Sequence, residues 1–313
     1  MTAQRIVLIG GSGFIGSAIA ARLCAASHDV LIPTRHRSRA AHLLLLPTAE
    51  VVDADVHDPA QLASLLRGAD AVVNLVGILH SRPGTPYGAD FARAHVELPR
   101  KIVAACRDAA VPRLVHVSAL GANPNGPSAY QRSKAAGEAA IHAGDDMLAT
   151  TILRPSVVFG RGDSFLNLFA RLVRLFPVLP LAGAQARFQP VYVEDVAEVV
   201  LRGLDDPARG GKTFELGGPH VYALRDLVGY IAALLGRHPL IIALPERLAL
   251  LQAALMELAP QPLMSRDNVL SMRVDNVTAA PLPYDVTPTP LETVAPAWIC
   301  NDTPRARVRN RVH

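Results

Sequence analysis

Short aliphatic runs alternate with amphipathic helical stretches along most of this chain, and that alternation predicts its architecture. Residues 6–9 are β-branched or aliphatic, too few for a helix and closed by Gly10, so they read as a buried parallel strand. A helical pattern on Phe14, Ile15, Ile19 and Leu23 follows at once. Further strand signals fall at residues 29–34, 50–54, 71–76, 113–118 and 150–153. Between them lie a helix opened by Pro59, with Asp58 as its N-cap, and a long helical stretch over 89–109. Such a series requires a parallel sheet covered on both faces: an α/β, doubly wound fold. Arg154 and Pro155 are expected to turn the chain out of that sheet. Beyond them the pattern predicts a helix over 164–176, an apolar segment at 177–181 and a return strand entering a helix at 191–196. A helix over 224–235 and a strand over 240–243 come next. The last apolar stretch, 246–258, reads as a helix whose leucines (Leu248, Leu250, Leu251, Leu255, Leu258) belong to a core.

Length and composition sharpen this picture. With 313 residues, half of them hydrophobic, the chain can bury one large domain and one smaller. The first strand begins at about residue 5, and we read no leader before it and no apolar run long enough to span a membrane. Cys24, Cys106 and Cys300 are odd in number and far apart, which suits a reducing compartment and argues against a zinc site, so no metal is assigned and the expected location is cytoplasmic. The net charge of +4 resides in the last residues, where Arg305, Arg307, Arg309 and Arg311 stand without an acid from Thr303 onward. The rest of the chain is formally neutral (4 − 4 = 0). Basic residues are not interleaved with aromatics, so nucleic acid is not an expected partner. The basic tail reads as a solvated end, with an anionic membrane surface or a partner protein as the alternative.

The chemistry begins at Gly10, Gly13 and Gly16. Glycines at this spacing, between a strand and a helix, build a turn that offers backbone N–H groups to a dinucleotide diphosphate; this is the Rossmann arrangement. The second strand ends at Thr34 and is followed by Arg35, with Arg37 and Arg39 beyond. A basic residue here suits the 2′-phosphate of NADP(H) rather than the free ribose of NAD(H), which remains the alternative. Asp55 can accept a hydrogen bond from an adenine amino group while Val56 packs on the ring. The fourth strand ends in Val76 and Gly77, small enough to let a cofactor pass. Ser118 closes the fifth strand. Tyr130 and Lys134 then stand at i and i+4, on one face of a helix. An ammonium beside the phenol, together with an oxidised nicotinamide, would lower the tyrosine pKa and make it a general acid/base, with Ser118 orienting the substrate oxygen. Lysine is scarce here, occurring only as Lys101, Lys134 and Lys212. Asp195 reads as structural. On this basis residues 1–160, with 188–212 returning, form a dinucleotide-binding domain. Residues 161–187 and 213–300 form a smaller mixed C-terminal domain, and 301–313 the basic tail.

GGSGFIG, the Ser118, Tyr130 and Lys134 set and ATTILRPSVVFG resemble the extended, atypical branch of the short-chain dehydrogenase/reductase superfamily. More narrowly, VVNLVGIL, HVSALGAN, SAYQRSKAAGE, RPSVVFGRGDSFLN and FQPVYVEDVAEVV resemble the nucleotide-binding accessory subunits of respiratory complex I and their bacterial single-chain relatives. The resemblance runs from about residue 5 to 300. It implies NADP(H) cradled by Gly10, Ser12, Gly13, Phe14, Ile15 and Gly16. Arg35 would stand at the 2′-phosphate, Asp55 and Val56 at the adenine, and Val76 and Gly77 along the cofactor. Tyr130 and Lys134 would meet the ribose, with Pro155 beside the nicotinamide. It implies an oxidoreductase acting on a carbonyl, alcohol or quinone-like substrate, with links to ubiquinone synthesis among relatives, and a smaller domain covering the substrate mouth. Two alternatives come with it: a catalytically silent nucleotide-binding structural or assembly factor, and a sugar-nucleotide epimerase or dehydratase, which the short serine-to-tyrosine loop disfavours. A lipophilic substrate, peripheral membrane attachment on the inner face or association with a respiratory complex through the apolar C-terminal domain and tail are the expected partners.

Overall fold

The computed structural model describes residues 3–146, 148–205, 211–259 and 262–300, with the Arg39 side chain left out. The basic tail lies outside the described residues. Two compact units are present, bounded as Met1–Pro155, Val193–Leu216 and Ala279–Thr287, and as Ser156–Tyr192, Gly217–Thr278 and Pro288–His313.

The first unit is the doubly wound half. Its elements, numbered along the chain, are β1 (Arg5–Ile9), α1 (Phe14–Ala25), β2 (Asp29–Thr34), β3 (Ala49–Asp53), α2 (Pro59–Leu66) and β4 (Ala71–Asn74). A short helix α3 (Ala89–Phe91) runs through a π-helical segment, Ala92–Glu97, into α4 (Leu98–Asp108); β5 (Arg113–Val117), α5 (Ala129–His142) and β6 (Ala149–Pro155) follow. The helix α7 (Val193–Asp205) and the strand β11 (Lys212–Leu216) come back to this unit after the chain has visited the other. Seven strands pair in the order β11-β6-β5-β4-β1-β2-β3, all parallel. The five strands other than the edges β3 and β11 are buried on both faces, which is why they read as largely aliphatic runs. One face carries Val7, Ile9, Val72, Leu114 and Ile152 against Leu62, Leu98, Ile102, Cys106 and Ile141. On the other, α1 packs on α7, with an Arg22–Glu198 ion pair at 3.4 Å.

Two expectations need correction. β6 runs on through Pro155 instead of leaving the sheet at Arg154, and it pairs with β11 from Thr151↔Lys212 to Pro155↔Leu216. β11 is therefore a seventh strand of the main sheet where the smaller domain is expected to begin at about residue 213. Its sequence, KTFEL, is half polar because an edge strand covers only one flank.

The second unit holds β7 (Val158–Phe159), α6 (Phe165–Leu175), β8 (Val178–Leu181), β9 (Arg187–Phe188) and β10 (Val191–Tyr192). It continues with β12 (Tyr222–Ala223), α8 (Leu224–Leu234), β13 (Leu240–Ala243), α9 (Glu246–Met256) and α10 (Arg266–Ser271). Two-stranded ribbons (β10 with β7, β12 with β9, β13 with β8) replace a continuous sheet. Their core is aromatic and aliphatic, around Phe159, Leu166, Leu227, Ile231 and Leu291. No helix among the described residues is long and apolar enough to cross a membrane.

Candidate functional site

The strand order reverses between β1 and β4, so both neighbouring loops open at the carboxyl ends of their strands around one crevice. Ligands of open α/β sheets sit at such a point. β1 is followed by Gly10, whose φ of +87° suits only glycine, and a Cβ there would stand 3.2 Å from Leu75 and Val76. Gly13 N–H donates to Gly10 O at 3.1 Å, and α1 starts from an extended Gly13 with no side-chain cap. Gly16 can be nothing larger: an added Cβ would lie 2.5 Å from Gly10 O and 2.6 Å from Gly11 Cα. The first turn of α1 is thereby held against the glycine loop with its amide end open. Ser12, Phe14 and Ile15 are half-buried around it, and Gly13 is exposed. An uncapped helix start of this shape holds a phosphate group.

Arg35 is exposed just past β2, at the same edge as Asp55 and Val56, which follow β3. Asp55 Oδ1 accepts from His57 N at 3.0 Å, and its own N–H donates to Gln61 Oε1 at 2.9 Å. Val56 packs on the main core cluster. Asp58 caps α2 as expected, accepting from Ala60 N (2.8 Å) and Gln61 N (3.3 Å). Cations gather here: Arg93 lies 4.0 Å from Asp55, and Lys101 Nζ donates to His57 O at 2.8 Å. Burial first, then Arg93, with smaller contributions from Lys101 and Arg35, holds the His57 pKa below its ordinary value, against the pull of Asp55.

The other end of the crevice carries the phenol and the amine. A capping box starts α5: Ser128 Oγ accepts from Gln131 N (3.1 Å) while Gln131 Oε1 accepts from Ser128 N (3.3 Å). Tyr130 and Lys134 project from the same face of that helix. Lys134 is buried, and its Nζ donates to Val117 O at 3.0 Å; a Cβ on the exposed Gly77 would stand 3.9 Å from that same Nζ. Val76 N–H, beside Gly77, donates to Asn74 Oδ1 at 3.2 Å. Ser118 is fixed by its N–H to Leu153 O at 2.7 Å, and its Oγ is buried with no hydrogen-bond partner among the described residues. Pro155, at the end of β6, accepts from Leu120 N at 2.9 Å.

Burial dominates the electrostatics of this pair. Burial pushes Tyr130 up to about 12 and Lys134 down to about 8, the latter partly countered by Glu138. Glu138 is itself gripped by Arg154 through two bonds, 2.9 and 2.5 Å. Desolvation disfavours the phenolate, so Tyr130 is a neutral phenol, the form that donates a proton.

Sequence reasoning misses the groups that hold this pair. His95 is buried on the π-helical segment. Its Nε2 accepts from Ile78 N at 3.0 Å, and its Nδ1 meets Ser133 Oγ at 2.9 Å, which in turn donates to Tyr130 O at 2.8 Å. These contacts require the neutral ring with its proton on Nδ1. Burial first and Lys134 second push His95 down to about 3, which keeps it so. The ring also stacks on Phe91 (5.1 Å) and meets Tyr130 edge-on (5.6 Å). Asn74 and His116, joined at 3.0 Å, brace the strands beneath. The S-x-x-Q capping box was open to discovery in the sequence; a π-turn leaves no periodic signal.

The assembled crevice suits an extended dinucleotide: an open helix start for the diphosphate, small residues along its path, and an amine, a phenol and an unpartnered buried hydroxyl at its far end. Comparison with known proteins agrees. The family model described as the NAD dependent epimerase/dehydratase family matches residues 6–217. The chain is 33% identical over 296 residues to "NADH dehydrogenase [ubiquinone] 1 alpha subcomplex subunit 9, mitochondrial" of Mus musculus, covering 91% of this chain and 77% of that one. It is 31% identical over 212 residues to the ceramide reductase of Caulobacter vibrioides, covering 66% of this chain and 63% of that protein. Among solved structures, DesIV, a dTDP-glucose 4,6-dehydratase from Streptomyces venezuelae with NAD bound, shares the fold at a TM-score of 0.68 and 24% identity, over 77% of this chain and 85% of that one. The chain therefore belongs to the NAD-dependent epimerase/dehydratase family, within the extended short-chain dehydrogenases/reductases, and is similar to the complex I accessory subunit.

Proposed function

We propose that this protein binds NADP(H) and reduces the carbonyl of a lipophilic substrate, or oxidises the corresponding alcohol; a quinone-like substrate falls in the same class. The observation that carries the reading is the Ser118 hydroxyl, buried beside the Tyr130 and Lys134 helix with no hydrogen-bond partner among the described residues. A buried unsatisfied hydroxyl is costly, and a substrate oxygen would relieve it.

Gly10, Ser12, Gly13, Phe14, Ile15 and Gly16 would hold the diphosphate, Arg35 the 2′-phosphate, and Asp55 and Val56 the adenine. Val76 and Gly77 would flank the chain of the cofactor, Tyr130 and Lys134 its nicotinamide ribose, and Pro155 the nicotinamide. The bound cofactor supplies or accepts the hydride. Ser118 Oγ donates a hydrogen bond to the substrate oxygen, and Tyr130 gives that oxygen its proton as the carbonyl carbon becomes an alcohol carbon. Relatives named for reduction of a ceramide and of a 2-alkyl-3-oxoalkanoate support a lipophilic carbonyl.

The likeness to the mouse complex I subunit favours a second reading, in which the nucleotide is a structural ligand of an assembly that includes a respiratory complex. Tyr130→Phe separates the two. Under the enzymatic reading the variant binds NADPH as the wild type does but loses at least a hundredfold in NADPH oxidation with carbonyl or quinone substrates. Wild-type protein that never oxidises bound NADPH with any carbonyl or quinone offered gives the structural reading instead. Titration of Arg35→Asp against NADPH and NADH tests the 2′-phosphate assignment, which a wild-type preference for NADH would overturn.

A further inference from the structure

We propose that the second unit carries a docking surface for an anionic lipid bilayer, formed by the outer faces of α9 and of the β8–β13 ribbon. The proposal is independent of turnover. It starts from an inversion: of the leucines expected in a core, Leu250 packs against one while the other four point outward. Ala249 and Ala253 face the core, whereas Leu248, Leu251, Leu255 and the following Leu258 are 52, 58, 63 and 82% exposed. Spaced at i, i+3, i+7 and i+10, they form one stripe along the helix.

The stripe continues onto the ribbon. β8 and β13 pair in parallel with Val178 opposite Leu240 and Pro180 opposite Ile242, and all four are exposed. Their alternate neighbours Leu179 and Leu181 are buried on the other side. Gln252 Nε2, on the flank of the α9 stripe, reaches Pro180 O at 3.5 Å, so helix and ribbon present adjoining surfaces. Leu175 and Phe176, 68 and 51% exposed, lead into the ribbon. An apolar area of this extent on a water-exposed surface marks an interaction site.

Charge selects the occupant. Residues 165–187 and 237–245 contain no acidic residue. The acids bracketing α9 are taken up: Glu246 by Arg273, and Glu257 by Arg266 at 2.8 Å. Arg171, Arg237, His238 and Arg247 are exposed around the apolar face. The described chain ends at Cys300, whose Sγ lies against Leu234 O at 3.5 Å, just before Arg237 and β13. The next residues in sequence, 301–313, carry four arginines against the single Asp302. An exposed aliphatic face with cations around it suits the headgroup region of an anionic leaflet, where apolar burial and attraction to negative lipids add. A protein partner would more typically be met by exposed tyrosine, tryptophan or methionine anchors, and the stripe contains none.

The test is flotation of the full chain with phosphatidylcholine vesicles, with and without phosphatidylglycerol. Binding to the anionic vesicles only, weakened by salt, is expected. Leu251→Asp with Leu255→Asp should lower partitioning at least tenfold, and Arg247→Glu about fivefold, with NADPH affinity unchanged as the check on folding. Arg247→Glu, at an exposed position, keeps the test valid should the double variant fold poorly. Absence of binding to anionic vesicles, equal binding to neutral ones, or variants that bind as the wild type does would overturn the proposal. So would a dimer in light scattering that Leu251→Asp dissociates, since the face would then belong to a second copy of the chain.

Discussion

At the scale of single residues, burial sets the charge states on which the chemistry rests. Lys134 is pushed down to about 8, so the free protein loses the ammonium as the pH rises through that value. Under the proposed function kcat/KM falls with an apparent pKa near 8, and a pH profile flat to pH 9 would contradict this. The same shift fixes a stability trend. The unfolded lysine binds a proton that the folded one lacks between about 8 and its ordinary range near 10.4, so this group makes the protein more stable as the pH rises through that window. His95 acts on the acid side. Its pKa near 3 means that the folded state lacks a proton the unfolded chain holds below about 6.5, and stability falls as the pH drops from there toward 3. His95→Leu leaves Ile78 N–H without its acceptor and Ser133 without its donor. Urea unfolding should show a loss of about 1–3 kcal/mol. His95→Asn, which can still accept from Ile78, should restore part of it; equal losses in both variants would remove the hydrogen-bonding role assigned to the ring.

At the scale of elements, two local devices position the site: the glycine turn and the capping box. Gly16→Ala places a methyl group against the Gly10 carbonyl, with about 1–3 kcal/mol of overpacking and a matching loss of NADPH affinity, both readable by calorimetry. Ser128→Ala removes the cap from the helix that carries Tyr130 and Lys134. It should lower the unfolding free energy by about 1 kcal/mol; an unchanged midpoint would show that the box adds nothing. These elements also show how much the chain discloses before folding. β1, β2, the helix opened by Pro59 and the Tyr130 helix are legible because their aliphatic runs, prolines and glycine punctuation act locally. β11 is not, because an edge strand is buried on one flank by residues distant in sequence. Nor are His95 and its π-turn, whose roles arise only when α5 and the loop after β4 meet around them. The inverted helix α9 misleads for a related reason: periodicity finds its apolar stripe but cannot say which side of the helix faces the core. The phenol's raised pKa was equally hidden, since spacing alone reveals the neighbouring lysine but not the depth at which both lie.

At the scale of the molecule, each unit has its own core, and every residue assigned to the cofactor lies in the first. The nucleotide therefore acts on that unit by mass action: NADPH at a hundred times its dissociation constant should add about 2.7 kcal/mol to its stability. The second unit supplies the apolar, cation-rimmed surface, and its vesicle binding is separable from cofactor binding by the substitutions given above. The central claim is that the glycine turn and the Tyr130 and Lys134 face hold one and the same dinucleotide. Calorimetric titration of the purified full chain with NADPH, beside Gly16→Ala and Lys134→Met, tests it most directly. The account predicts saturable one-to-one binding by the wild type, weakened at least tenfold by either substitution although the two residues stand at opposite ends of the crevice. A folded wild-type protein that carries no nucleotide and gives no heat with either NADPH or NADH would contradict it.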